Sequence, residues 1–314
     1  MNRLRHSKRA AKQLLVQRAR HSSTPTPQIR TAAEAASHMM EHYAHKVIKR
    51  SQYIDSNQLQ KLAVTLGRPV LDGHDMRRTS APAGTPVPPA HHLVYFTPYD
   101  VEADLGADGS DRTFNAPAPF TRRMWAGGHI KFDRGNPLRV GDEAEEHTKL
   151  ISAVSKTSRS AGEMVLVEVE KKLYGSRGLA LVDTRSWVFR PVIQGQSDAQ
   201  GGVALRSVDG NILAPSSVSD VMINDSSETA EGHPGVVVHG PLNVINLLDY
   251  WRDVHGRGTG PDEISYRAVS PVYAGEEYQI RTVDVLVAPD GQVFEVVAAK
   301  DGVVIMKASI IKRA

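Results

Sequence analysis

The 314-residue chain is predicted to adopt an α+β fold: an N-terminal helical extension, then two units, each a central helix wrapped by an antiparallel sheet. Three observations predict it. The last fifty residues alternate apolar and polar positions around Pro289-Asp290-Gly291 and Asp301-Gly302, and Asp-Gly between such runs is a strong hairpin signal. Leu242, Val244, Ile245, Leu247, Leu248 and Trp251 make a helical pattern that is apolar nearly all round, as in a helix enclosed by other elements. Finally, Pro137-Leu-Arg-Val-Gly141-Asp-Glu143 returns 134 positions later as Pro271-Val-Tyr-Ala-Gly275-Glu-Glu277. Self-similarity of this kind points to a duplicated unit.

In chain order, residues 1–30 hold eight Lys or Arg and no acid, with a helix-compatible Leu14-Leu15-Val16 centre, which reads as a mitochondrial targeting peptide. Residues 31–192 are read as a helical segment plus the first unit. Within them, Thr31 to Leu66 recurs at three- and four-residue spacing (Met39, Tyr43, Val47, then Leu59, Leu62, Leu66) and is expected to be helical. Gly73 to Pro89 is loop, and the acidic run Asp100 to Asp111 lacks calcium-ligand spacing and reads as solvated loop. Met164–Val169 and Leu179–Phe189 are strand-like around a turn at Gly175-Ser-Arg-Gly178. His91 and His92, taken as strand neighbours, would point to opposite faces and could not chelate together. Residues 193–230, rich in Gly, Ser, Asp and Gln, read as a linker, and 231–314 as the second unit, with strands Tyr278–Ala288, Val293–Ala299 and Val303–Ile311.

Composition excludes several chemistries. The chain has no cysteine, so disulfides, thiolate metal sites and cysteine nucleophiles are ruled out. No apolar run reaches the roughly 18 residues that span a bilayer. The net charge of +3 belongs to the leader, because beyond residue 30 there are 30 basic and 35 acidic residues, which removes the support for a nucleic-acid partner. No H-E-x-x-H, P-loop, G-x-S-x-G or dinucleotide motif occurs, so neither a metal nor a nucleotide cofactor is expected.

The segment Glu231–Trp251 holds the candidate chemistry. A His239-Gly240-Pro241 step opens the apolar helix, and Pro suits a first-turn position because its missing N–H would be unpaired there. The free N–H groups near His239 and Gly240, with the helix dipole behind them, can hold a carbonyl oxygen that gains negative charge. Glycine at position 240 permits close backbone approach, and His239 is read as either a catalyst or a structural residue orienting the turn. Arg122 and Arg123 could hold a carrier phosphate or be a solvated pair; Trp125, beside Gly127, could line an acyl tunnel or simply pack in a core.

Three strings carry a family resemblance: His92-Leu-Val-Tyr-Phe-Thr-Pro98, Arg122-Arg-Met-Trp-Ala-Gly-Gly128 and Val237-Val-His-Gly-Pro-Leu242. In this order they resemble the fungal mitochondrial type 2 hydroxyacyl-thioester dehydratases, within the wider group of MaoC-like and mesaconyl-CoA hydratases. The likeness runs from about Gln58 to the C-terminus. It implies a double hot-dog fold and a hydro-lyase of mitochondrial fatty-acid synthesis, located in the matrix. The substrate would be a (R)-3-hydroxyacyl thioester on acyl-carrier protein or coenzyme A, dehydrated to the trans-2-enoyl thioester without metal or redox cofactor. It also implies a monomer or homodimer, and places the thioester-oxygen donor on Gly240; Arg122, Arg123, Trp125 and Gly127 are the candidate substrate-binding residues beside it.

The family's acid/base loop resembles N-x-H-x-I-H. Asn224 can be laid on its Asn, but Ser226 and Thr229 stand where the histidines would, and about eight following residues are missing. Neither hydroxyl titrates near neutral pH. Asp220, Asp225, Glu228 and His233 are the nearby ionisable groups, and spacing selects none of them. Two alternatives therefore stand beside the dehydratase: an inactive acyl-binding or partner protein (or a gene model missing the histidine loop), and, more weakly, a thioesterase on the same fold.

Overall fold

The computed structural model describes residues 29–97, 100–106, 111–159, 162–191, 223–224 and 235–314. The leader, nearly all of the 193–230 linker, and the ionisable candidates Asp220, Asp225, Glu228 and His233 lie outside them.

The helical extension is α1 (Ala32–Tyr43), started by a capping box in which Thr31 accepts from the Glu34 amide and Glu34 reaches back to the Thr31 amide. Its Ala32, Ala35, Ala36 and Met39 face is buried. The helical reading then fails for one stretch: Val47–Tyr53 is strand β1, not helix, and pairs antiparallel with β5 (Glu143–Ser158). The β-branched Val47-Ile48 pair and a period of two in burial fit an edge strand. Val47, counted above on the helical stripe, is in fact exposed. Helix α2 (Ser56–Thr65) follows, capped by the Asp55 side chain on the Gln58 amide, and buries Leu59, Leu62 and Ala63.

The remaining strands are β2 (Val70–Leu71), β3 (His74–Asp75), β4 (Arg122–Phe132), β6 (Gly162–Gly175), β7 (Gly178–Arg190), β8 (Ile223–Asn224), β9 (Val237–Val238), β10 (Glu263–Ala268), β11 (Gln279–Ala288), β12 (Gly291–Lys300) and β13 (Val303–Arg313). A third helix, α3 (Gly240–Val254), precedes β10. The large sheet runs β1-β5-β6-β7-β4-β10-β13-β12-β11. Two similar meanders therefore meet edge to edge, with β4 against β10 at the centre.

The repeat read from the sequence is visible in the backbone. Gly141 and Gly275 both take positive φ, 95° and 83°, which glycine adopts at little steric cost. In the first turn the Asp142 amide donates to the Arg139 carbonyl and the Arg139 amide to Asp142 Oδ2. In the second, the Glu276 amide donates to the Tyr273 carbonyl and the Tyr273 amide to Glu276 Oε2. A shift of 134 positions takes Ile130 to Ile264, and these two residues face each other across the β4–β10 ladder. The pseudo-twofold axis thus passes between them. Both are fully buried, so replacing either by valine is expected to cost about 0.5–1.5 kcal/mol through the lost methyl and residual cavity. A urea titration checks this, and no measurable change would contradict a packed dyad.

The halves differ in their helices. α3 lies immediately before its meander, whereas α2 is separated from β4 by a long loop containing the 3-10 turn His91–Val94. Leu62 and Leu66 join Leu242, Val244, Ile245, Leu247, Leu248 and Trp251 in one core that also takes in Ile130, Leu181, Ile264, Phe294 and Ile310. α1 packs with the other end of the first half, on Leu150, Val165, Val167, Val169, Trp187 and Phe189.

Candidate active site

The Arg122–Gly128 string is a strand with a bulge. Trp125 stands opposite Trp187, and the next ladder pair is Gly127 with Ser186, so Ala126 is the extra residue. A bulge changes the parity of facing. It leaves Trp125 and Gly128, three positions apart, turned toward the same inner side of the sheet. Gly128 makes room there: a Cβ on it would meet the Tyr266 hydroxyl at 2.5 Å and the Thr184 carbonyl oxygen at 2.5 Å. Tyr266 fills that space, its ring stacked on Trp125 at 6.3 Å and 14°. Gly127, expected toward the substrate, instead faces the neighbouring strand, where an added Cβ would collide with the Tyr266 carbonyl oxygen.

Adjacent strand residues face opposite sides, so Arg122 and Arg123 part company. Arg122 is buried opposite Arg190. Arg123 is on the Trp125 side; its Nη1 donates to the Asp111 carbonyl (3.0 Å) and Asn115 Oδ1 (3.2 Å), and its guanidinium lies 4.9 Å from the Trp187 ring centre.

α3 starts at this surface. His239 is its N-cap, with no side-chain capping bond, and Pro241 sits in the first turn. The Gly240 N–H is one of the first-turn donors that a helix leaves without an internal partner. Trp125 lies against Gly240: a Cβ there would come within 2.9 Å of Trp125 Cγ and 3.0 Å of Cδ1. The His239 ring is edge-on to the same indole at 6.4 Å. β8 pairs with β9 so that Asn224 stands opposite Val237, two residues before His239, which brings the Asn224 backbone beside the helix start. Ser226 and Thr229 lie outside the described residues.

The inner face of the first half carries a layer of charge that sequence reading missed. Lys171 donates to Glu146 at 2.8 Å, and Thr148 donates to the same carboxylate. Lys171 stands opposite Asp183, whose Oδ2 accepts from Arg185 Nε at 2.7 Å and approaches His92 Nε2 at 3.5 Å. Arg185 also lies over the Trp125 ring, 5.4 Å from its centre. Glu146, Asp183 and His92 are buried, Asp183 completely. Across the dyad the position matching Glu146 is Ile280, also buried. A signal for the layer exists in the sequence: the inward positions of β7 read Leu181, Asp183, Arg185, Trp187, Phe189, placing an ion pair inside an apolar alternation.

Electrostatics follow from this packing. Burial alone would raise the Asp183 carboxyl, but Arg185, and then His92, hold it well below the usual range. Burial, then Arg185, pushes the Lys171 ammonium down. Although the residue is solvent-accessible, desolvation by its neighbours and then the Arg185 and Arg123 guanidiniums press the His239 imidazole down to about 4. It should therefore titrate by NMR with a midpoint near that value, remaining neutral at pH 6. A midpoint near the ordinary 6.5 would contradict the positive environment.

His91 and His92 are not strand neighbours; both belong to the 3-10 turn before Tyr95. Each meets a carboxylate, His91 on Asp249 of α3 at 3.2 Å and His92 on Asp183. Arg252 and Arg68 also pair with Asp249, at 3.0 and 3.3 Å, so this end of α3 is clamped to the first half. A cavity of about 750 Å³ opens there, lined by Phe132, Leu138, Leu181, Arg252 and Pro261 and reaching His92. It lies at the far end of α3 from Gly240.

Known proteins resemble the chain in sequence and in fold. The profile of the family described as "Hydroxyacyl-thioester dehydratase type 2" matches residues 90–221 and 225–274. A mesaconyl-C(4)-CoA hydratase of Chloroflexus aurantiacus is 27% identical over 252 residues, spanning 73% of this chain and 84% of that protein. A mitochondrial hydroxyacyl-thioester dehydratase type 2 of Schizosaccharomyces pombe is 23% identical over 234 residues, spanning 62% of this chain and 77% of that one. Among solved structures, a MaoC-like dehydratase from Phytophthora capsici superposes with a TM-score of 0.59 at 14% identity, over 87% of this chain and 97% of its own, and a Mycobacterium tuberculosis protein described as having a double hot-dog fold superposes with a TM-score of 0.50 at 11% identity, over 86% of this chain and 96% of its own, so the fold is a double hot dog.

Proposed function

The chain belongs to the hydroxyacyl-thioester dehydratase type 2 family, and we propose that it performs this lyase chemistry at the N-terminus of α3, on (R)-3-hydroxyacyl thioesters carried by acyl-carrier protein or coenzyme A. The observation that carries the assignment is the Gly240 N–H at the start of a buried helix, flanked by Trp125 and His239. The thioester oxygen accepts from Gly240, and the helix dipole and the nearby guanidiniums hold the enolate charge that develops as C2 loses its proton.

His239 is the described group in position to move that proton. Held neutral at physiological pH, its imidazole can accept the C2 proton; the imidazolium so formed is a strong acid and returns it to the departing 3-hydroxyl, which leaves as water. One group then serves both steps, and atoms and charge balance. Asn224, set beside the helix start by the β8–β9 pairing, completes the assigned catalytic set, with Arg123 and Trp125 along the acyl path. Arg122 and Gly127 are left out of it because of where they face. The basic leader and the mitochondrial relative support action in the mitochondrial matrix, in fatty-acid synthesis.

The assay is hydration of crotonyl-CoA, followed by loss of the enoyl absorbance. Turnover that falls on His239→Gln supports the reading. Binding without turnover at high enzyme concentration would overturn it in favour of the acyl-binding protein, the alternative favoured by the serine and threonine at 226 and 229. Release of free thiol would indicate a thioesterase.

A further inference from the structure

The cavity at the far end of α3 lies where the internal repeat places a second copy of the active site. The Val238 amide donates to the Val272 carbonyl, and the Val87 amide donates to the carbonyl of Leu138, 134 positions before Val272, both at 2.8 Å. The bridges Val237–Tyr273 and Pro86–Arg139 repeat the correspondence. Pro88-Pro89 therefore stands where His239-Gly240 stands in the second half. The neighbouring strand obeys the same rule: Thr259-Gly260-Pro261, the mates of Trp125-Ala126-Gly127, line the cavity with Pro88 and Pro89. A Cβ on Gly260 would come within 2.6 Å of Pro89 Cγ, so the two segments touch here as Trp125 touches Gly240. The chemistry is absent, because proline has no N–H to hold a thioester oxygen and Pro88 carries no proton. The space is present: about 750 Å³, walled in part by Val87, Phe132, Leu138 and Leu181, which is the size of a small-molecule site.

Resting on the reading of the α3 start as a thioester site, we propose that this cavity is a second, non-catalytic site for the phosphopantetheine arm of the carrier, with the arm between the apolar walls and its phosphate on Arg134 and Arg139. Both guanidiniums line the cavity, Arg134 exposed and Arg139 half-buried. Arg139 donates to the Gly84 carbonyl at 2.7 Å and has no carboxylate partner among the described residues. Arg134 shares Asp262 at 3.3 Å and keeps 40% of its side-chain exposure. The lining carboxylates Asp133 and Asp253 are already met, by the Gly135 and Asn136 amides and by Arg68. Two such cations suit a phosphate dianion. Their mates in the second half are Ala268 and Tyr273, so this pair of charges belongs to the cavity and not to the repeat. A carrier held here is retained without reacting, because no donor and no proton carrier faces its thioester.

The test is calorimetric titration of the full-length protein with coenzyme A and, separately, with holo-acyl-carrier protein, the two carriers of that arm. At least one of them should bind at two equivalents per chain, and which one does so identifies the source. Arg134→Glu combined with Arg139→Glu should weaken one of the two sites at least tenfold and leave crotonyl-CoA hydration within about twofold of wild type, as neither residue touches the start of α3. Pantetheine without its phosphate, a probe that needs no variant, should bind the cavity at least tenfold more weakly than phosphopantetheine. A single equivalent of each carrier on a chain that hydrates crotonyl-CoA, or two equivalents that both survive the double substitution, would overturn the proposal and leave the lyase intact. A single equivalent that the double substitution removes, on a chain without turnover, would instead sink the lyase reading and keep the cavity site.

Discussion

Gly240→Ala is expected to lower kcat/KM on any accepted thioester by about 100-fold without unfolding the protein. Alanine is the better helix former, so propensity alone would predict a neutral or mildly stabilising change. The local geometry decides otherwise. The added methyl would come within 2.9 to 3.3 Å of Trp125 Cγ, Cδ1 and Cβ, and either the indole or the first turn of α3 must shift by a few tenths of an ångström. Displacement on that scale between a reacting group and its donor is enough to lose two orders of magnitude. Circular dichroism and a melt should remain close to wild type. An unchanged kcat/KM would mean that no reacting oxygen sits at this helix end.

Asp183→Ala is expected to destabilise the protein by about 3–5 kcal/mol, because it leaves Arg185 buried opposite nothing and removes the partner of His92. Denaturant titration measures it. The same carboxylate predicts a pH dependence. Its folded value lies below the ordinary 3.8, so its contribution is fully present above that pH and is lost as the pH falls through the acid range below it. Wild type should therefore lose stability more steeply than Asp183→Ala below about pH 4. A cost under about 1 kcal/mol would mean that the charged layer is open to water and not a buried network.

The second half of the molecule was readable in advance. Strict alternation and Asp-Gly turns define β11 to β13 almost to the residue, and α3 is apolar nearly all round because most of it is enclosed. The repeated proline-to-glutamate step also proved physical, since the same hydrogen bonds and positive-φ glycines close both turns. Other features escaped because their cause is tertiary. Val47 fits a helical stripe as well as a strand, and only the free edge of β5 makes it β1. Arg122 and Arg123 are equivalent on paper; strand parity separates them, and the bulge at Ala126 decides what Trp125 faces. Asp183 and Arg185 looked like ordinary strand charges, whereas their shared inward parity places them in the middle of the first half. Gly127 was read for its motif, although the close approach of β10 accounts for it fully.

The most direct test of where the chemistry takes place is a crystal structure with a non-cleavable enoyl thioether-ketone analogue of the CoA substrate. The carbonyl oxygen should accept a hydrogen bond from the Gly240 N–H, with the acyl group running past Trp125 toward Arg185. An analogue seated only in the cavity by Phe132, Leu138 and Arg252, at the opposite end of α3, would contradict the account.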